Sequence, residues 1–181
     1  MGQDKAFLLV DGVPLIHRIL SLFRRLFSEN LIITNDPTPY GALETKIFRD
    51  LFPNHGVLGG LYTGLFFSSF HYSFCVACDM PFLRENVIEF LLGKINSYSA
   101  IVPRTEDGLQ PLHAVYSKDC LEAIARTVQE GKNKIIDFYP LVKMRVVEEN
   151  EFLFLDPLKE SFTNINTPDE LDQIQRKRNH G

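Results

Sequence analysis

Phe74-Cys75-Val76-Ala77-Cys78-Asp79-Met80-Pro81 is the stretch on which the reading of the fold turns. It is a short apolar run that stops at a carboxylate. It has no helical stripe and carries turn signals on both sides, so Phe74 to Cys78 reads as a buried strand. Asp79 falls where that strand stops, and Pro81 denies the ladder a further N–H. In open α/β sheets, ligands bind outside the carboxyl ends of the strands. Asp79 therefore reads equally as a turn cap before the next helix or as an oxygen ligand for a hard cation such as Mg2+.

Working outward, strands and helices alternate. Before the central run, Leu15, Ile19, Leu22 and Leu26 follow helical spacing, with Ile16, Leu20, Phe23 and Phe27 beside them. Pro14 suits the first turn of that helix, and Asp11-Gly12 is a turn signal ahead of it. Leu31 to Thr34 reads as a strand ending at Asn35, and Lys46 to Arg49 as another ending at Asp50. Gly56-Val57-Leu58-Gly59-Gly60-Leu61 is a glycine-bearing loop leading into an apolar helix. Helix N-termini present free N–H groups to anions, and glycines let a ligand approach the backbone. The same glycines equally suit close packing of a loop on a sheet.

After the central run come a helix around Val87 to Ile95 and a strand at Ala100 to Pro103. A turn at Glu106-Asp107-Gly108 leads to a strand entered through Gln110-Pro111-Leu112-His113, and a helix from Lys118 to Gln129 follows, capped by Ser117. A charged strand spans Val142 to Glu148. Thr167-Pro168 opens a last helix, with Glu170 completing a capping box. Capping does not explain Asn164 and Asn166 just before it. This alternation predicts one α/β domain over residues 1–181: three layers, a mostly parallel sheet, and helices on both faces.

At 181 residues the chain is long enough to bury a substantial core, roughly 70% of its unfolded surface. Its net charge of −4 offers no global basic field, so no nucleic-acid partner is expected. No apolar run approaches the ~20 residues that cross a bilayer, and the start carries no signal-peptide pattern. A cytoplasmic protein without a membrane partner is the expectation. The three cysteines do not suggest a disulfide framework. Cys75 and Cys78 form a C-x-x-C spacing, but thiols three apart on a strand point to opposite faces. Buried, reduced cysteines are expected instead.

Asn35, Asp50, Asp79 and the Asn164/Asn166 pair all fall at strand ends or loop tips, and Lys5 sits on the opening loop. Strand ends of one parallel sheet converge on one edge. A carboxylate for a metal, a lysine for phosphate and a glycine loop suit phosphoryl or nucleotidyl transfer, chemistry that rests on positioning and charge stabilisation. No nucleophile signature such as G-x-S-x-G is present.

These residues carry a resemblance. Met1-Gly2-Gln3-Asp4-Lys5-Ala6 is similar to the second half of the signature loop of the molybdenum cofactor guanylyltransferases. Cys78-Asp79-Met80-Pro81, Gln110-Pro111-Leu112-His113-Ala114 and Asn164-Ile165-Asn166-Thr167-Pro168 match the same family in order. So do Asn35, Asp50 and the 56–61 loop, where Val57 stands in place of the family's usual proline.

The resemblance implies a GT-A-like, Rossmann-like nucleotidyltransferase fold. It implies joining GTP to (molybdenum-)molybdopterin, with release of pyrophosphate and Mg2+ as cofactor. By position, Lys5 is expected at the GTP phosphates and, with Asp79, in catalysis. Asn35 and Asp50 are expected at the nucleoside, and Gly59 and Gly60 in the nucleotide-binding loop. Asp79 is expected at Mg2+ and nucleotide, and Gln110 on the pterin side. Asn166 is the expected second metal ligand, with Asn164 as its alternative. A monomer is expected, with a molybdoenzyme or cofactor chaperone as protein partner.

Rival readings are cytidylyl transfer to the same pterin, sugar-1-phosphate nucleotidyl transfer, and a non-catalytic pterin-binding module. The family also carries a first strand and a Leu-Ala-Gly-Gly-type loop ahead of the residues matching Met1-Gly2. Without them, unpaired backbone is expected beside the Asp79 strand, with low stability and weak activity of the chain as written.

Overall fold

The computed structural model describes residues 4–165 and Glu170. The expected helix start at Thr167-Pro168, and Asn166 with it, lie outside the described residues. The chain opens with a 3-10 turn at Lys5–Phe7 and a hairpin of β1 (Leu9–Val10) and β2 (Val13–Pro14). Asp11 and Gly12 make that turn with φ of 52° and 76°, the left-handed pair that two-residue hairpins require. Helix α1 (Leu15–Leu26) buries Leu15, Ile16, Ile19 and Leu20 and carries Arg24 and Arg25 in its last turn, where cations complement the helix dipole.

Strands β3 (Leu31–Thr34) and β4 (Lys46–Arg49) then pair in parallel, Ile32 opposite Ile47. Helix α2 (Gly56–Phe67) leads to β5 (Tyr72–Val76), followed by α3 (Glu85–Leu92) and β6 (Ala100–Thr105). A tight turn through Gly108, at φ 106°, returns the chain as β7 (Gly108–Leu109) and then β8 (His113–Ser117). Helix α4 (Cys120–Gln129), β9 (Met144–Glu148) and α5 (Glu149–Phe152) follow. The α4 cap position is Asp119 rather than Ser117. Ser117 is the last residue of β8, and its Oγ accepts from Asp119 N at 3.2 Å.

In the larger sheet β8 lies between β5 and β6 and runs against both, while β9 runs parallel to β6. Strands β5, β6 and β9 therefore share one direction, as the alternating pattern predicts. The reversed strand in their midst is not part of that prediction. It follows from the 106–108 turn, which sends the chain straight back along β6.

The two faces separate cleanly by strand period. Ala100, Val102, Ala114 and Tyr116 pack on Leu58, Leu61 and Leu65 of α2 and Ile124 of α4. Ile101, Val115 and Val147 pack on Val87 and Leu91 of α3 and on Phe152. This is the expected three-layer arrangement. Among the described residues no helix is long and apolar enough to cross a membrane.

One feature departs from the reading of β5 as a buried strand. All five β8 residues are buried, but all five of β5 are only half-buried. Among the described residues β5 pairs with β8 alone and β3 with β4 alone. A cleft of about 870 Å3, lined by both β3 and β5, lies between these ladders. Phe23 and Phe27 of α1 and Gly60 and Gly64 of α2 also line it. Glu29 bridges the starts of the two strands, accepting from Ser69 N at 2.7 Å. Both strands therefore run from that end of the cleft toward the other.

Candidate active site

At the far end of the cleft the strand termini deliver polar groups. Asn35 follows β3, Asp50 follows β4 and Asp79 lies three residues beyond β5. All three line the cleft, and so does Asn164. The convergence expected from sequence is thus present for every member that falls within the described residues.

Asp79 is only partly satisfied. Its Oδ2 lies 3.5 Å from Lys5 Nζ, while its Oδ1 is buried with no hydrogen-bond partner among the described residues. Its main-chain oxygen accepts from Ile165 N at 2.8 Å, which sets Asn164 beside it. A buried carboxylate oxygen without a donor is costly, and a cation or a ligand N–H would satisfy it. Among the described residues no group of three or more His, Cys, Asp or Glu side chains is placed to hold a metal. A single carboxylate suits Mg2+, which keeps several waters and is commonly completed by phosphate oxygens.

Lys5 is positioned by its neighbour, a device the sequence reading passes over. Asp4 Oδ1 caps the opening 3-10 turn by accepting from Ala6 N at 3.1 Å. Its Oδ2 accepts from Tyr40 Oη at 2.7 Å. Burial pushes the Tyr40 phenol well up from its ordinary value, with Asp4 adding to the effect, so Tyr40 remains a donor. Aspartate one residue before a turn is a capping signal legible from sequence; its tyrosine partner, 36 residues away, is not.

Asp50 is held differently. Its Oδ1 accepts from Phe52 N at 2.9 Å and lies 3.0 Å from Thr63 Oγ1. Thr63 also accepts from Leu51 N at 2.9 Å. The glycines expected in a loop are in fact inside α2, which begins at Gly56. Gly59 N already bonds His55 O at 3.3 Å. A Cβ on Gly59 would stand 2.5 Å from Phe52 O and 2.8 Å from Asp50 Oδ2. Gly59 therefore serves close packing of α2 on the Asp50 turn, and only Gly60 of the pair lines the cleft. The helix N-terminal N–H groups at that position belong to Gly56, Val57 and Leu58.

Gln110 is not brought into the cleft lining. Its Nε2 donates to Thr105 Oγ1 at 2.9 Å, closing the turn between β6 and β7. His113 is fully buried between Phe74 and Phe162, at ring distances of 5.1 and 4.6 Å. Burial pushes its imidazole down to about 3, so it is neutral in the folded protein at pH 7. Cys78 is exposed, contrary to the expectation of buried thiols, because β5 ends before it; Cys75 and Cys120 are more enclosed, and all three are free.

Residues 1–144 match a family model described as the MobA-like NTP transferase domain. The chain is 35% identical over 175 residues to the molybdenum cofactor guanylyltransferase of Desulfosudis oleivorans, covering 96% of this chain and 87% of the relative. It is 37% identical over 172 residues to a probable molybdenum cofactor guanylyltransferase of Pelotomaculum thermopropionicum, covering 94% and 83%. Among solved structures, molybdopterin-guanine dinucleotide biosynthesis protein A of Archaeoglobus fulgidus superposes with a TM-score of 0.84 at 25% identity, over 99% of this chain and 93% of the other. A 2-C-methyl-D-erythritol 4-phosphate cytidylyltransferase of Thermus thermophilus shares the fold at TM-score 0.68 and 16% identity, over 93% and 91%. With strand-end polar groups converging on one cleft, and similarity running through most of the sequence, this chain belongs to the MobA-like NTP transferase family.

Proposed function

We propose that this protein transfers GMP from GTP to molybdopterin, forming the guanine dinucleotide form of the cofactor and releasing pyrophosphate. The names of the relatives support the substrates. The single observation that carries the site is Asp79: a buried carboxylate oxygen without a partner among the described residues, beside Lys5, at the strand-end side of the cleft.

In this reading the terminal phosphate of the pterin attacks the α-phosphorus of GTP. A P–O bond forms there, and the bond to the β-phosphate breaks with pyrophosphate as leaving group. The attacking phosphate is already anionic near pH 7, so no general base is required. Mg2+, held by Asp79 with Asn164 at its side, would supply neutralisation of the phosphate charge when bound. Lys5 places a second positive charge against the phosphates. Asn35 and Asp50, at the ends of β3 and β4, take the nucleoside. The bonds of Asp50 to Phe52 and Thr63 fall on Oδ1 and fix the carboxylate's direction for that task.

The test is direct. Purified protein is incubated with molybdopterin, Mg2+ and either GTP or CTP, and pyrophosphate and dinucleotide product are measured. GTP-dependent release that Asp79→Ala abolishes is the expected result. Equal turnover with CTP, or release indifferent to Asp79→Ala, would overturn the reading.

A further inference from the structure

Arg84 and Asp156 lie outside the cleft and take no part in the chemistry above, yet they control the segment that ends beside Asp79. Arg84 Nε is 3.1 Å from Asp156 Oδ1, and Arg84 Nη2 is 2.7 Å from Glu160 Oε2. Asp156 is completely buried. Its other bonds are to the main chain of the same segment, from Glu160 N at 3.2 Å and Ser161 N at 2.8 Å. Arg84 N donates in turn to Ser161 Oγ at 3.1 Å. Five residues before Arg84 in sequence, Asp79 O accepts from Ile165 N at 2.8 Å. The loop leaving β5 and the segment at 160–165 are therefore joined at both ends, by a charged cluster at one and a main-chain bond at the other.

Apolar packing alone holds the segment close but does not choose its register. Ile165 is buried among Leu8, Val10 and Phe82, and Phe162 rests on His113 and Phe152. Such contacts tolerate sliding and repacking. The guanidinium fork does not, because its donors have fixed directions.

We infer that Arg84 is a positioning residue, acting with buried Asp156 to set the 160–165 segment so that Asn164 lines the cleft together with Asp79. The inference rests on the guanylyl-transfer reading for its kinetic consequence, but its structural part does not.

The experiment uses the full chain with Arg84→Met, Arg84→Lys, Asn164→Ala and the Arg84→Met/Asn164→Ala double variant. Amide hydrogen exchange is read at Ile165 and, as an internal control, at Val115 in the central strand. In Arg84→Met, protection at Ile165 should fall about tenfold or more while Val115 is unchanged, the mark of local rather than global opening. In GTP turnover, Arg84→Met should lower kcat about tenfold, within the range of coupling inside one network, with KM for the pterin moving less. The double variant should be no slower than the slower single variant, because both changes act through Asn164. Arg84→Lys should recover only part of the loss, since one ammonium cannot hold both carboxylates in the fork's geometry.

Unchanged protection at Ile165, or kinetic effects that multiply in the double variant, would overturn the inference. If Arg84→Met does not fold, Glu160→Gln, which weakens the same cluster more gently, takes its place under the same criteria. A wild-type protein without GTP-dependent turnover would sink the guanylyl-transfer reading, while exchange at Ile165 would still decide whether the clamp exists.

Discussion

The two ends of the cleft treat their carboxylates in opposite ways. At the end where β3 and β5 begin, Glu29 accepts from Lys46 Nζ at 2.6 Å, Ser69 N at 2.7 Å and Ser69 Oγ at 2.9 Å. These donors, Lys46 first, hold its carboxyl down at about 2. At the other end Asp79 has one oxygen 3.5 Å from Lys5 and the other buried without a partner among the described residues. Glu29 is a finished structural contact that ties two strands together. Asp79 is an unfinished one, and an unmatched buried acceptor is stable only where something else completes it. Asp50 lies between these extremes, with one oxygen fixed by Phe52 and Thr63.

If this contrast is right, Asp79→Asn should lower kcat by about 100-fold or more, the scale of losing a principal electrostatic element of a site. It should leave the urea midpoint unchanged or higher, because it removes a buried charge without a full set of partners. A large loss of stability instead would mean that Asp79 is a turn cap.

Gly59→Ala tests the satisfied side of the site. Its new Cβ would meet Phe52 O at 2.5 Å, so the protein should lose about 1–3 kcal/mol in urea denaturation, as overpacked positions do. Gly60→Ala, whose Cβ would meet only Ile33 Cγ2 at 4.0 Å, should be neutral or more stable by up to about 1 kcal/mol from helix propensity. Equal costs at the two positions would break the assignment of Gly59 to packing.

Lys5→Met should raise KM for GTP about tenfold, in line with the loss of one charge-assisted contact. The smallest effect is expected at Glu29. Its folded value lies below its unfolded one of 4.5, so its stabilisation is whole above about pH 4.5 and disappears as pH falls toward about 2. Glu29→Gln should therefore be less stable than wild type at pH 7, by about 1 kcal/mol or less given the exposed Lys46 partner. The gap should close through that acid window in thermal melts. A gap that stays constant with pH would mean that the charge of Glu29 contributes nothing.

Local pattern made much of this molecule legible. Strand period separates Ala100, Val102 and Tyr116 from Ile101 and Val115 onto opposite faces, and the Asp11-Gly12 hairpin is dictated by conformations that few other pairs adopt. Asn35, Asp50 and Asp79 could be placed together because strand ends of one direction must converge. What local pattern leaves open has one cause. Gly59 and Gly60 look alike in sequence, and only the approach of the Asp50 turn makes one a packing residue and leaves the other on the cleft wall. Likewise, the type of Gln110 does not announce that its amide donates to Thr105 Oγ1 at 2.9 Å.

The sequence by itself determined the α/β class, the family and the strand-end residues, because these depend on period, order and spacing along one chain. Tertiary structure alone decided which carboxylates are already satisfied, that β8 runs backwards between β5 and β6, and that Arg84 reaches Asp156 and Glu160 more than 70 residues away. The physical reason is that hydrogen-bond saturation is a property of neighbours in space. No spacing rule along the chain reveals that, among the described residues, Glu29 has three donors and Asp79 Oδ1 has none.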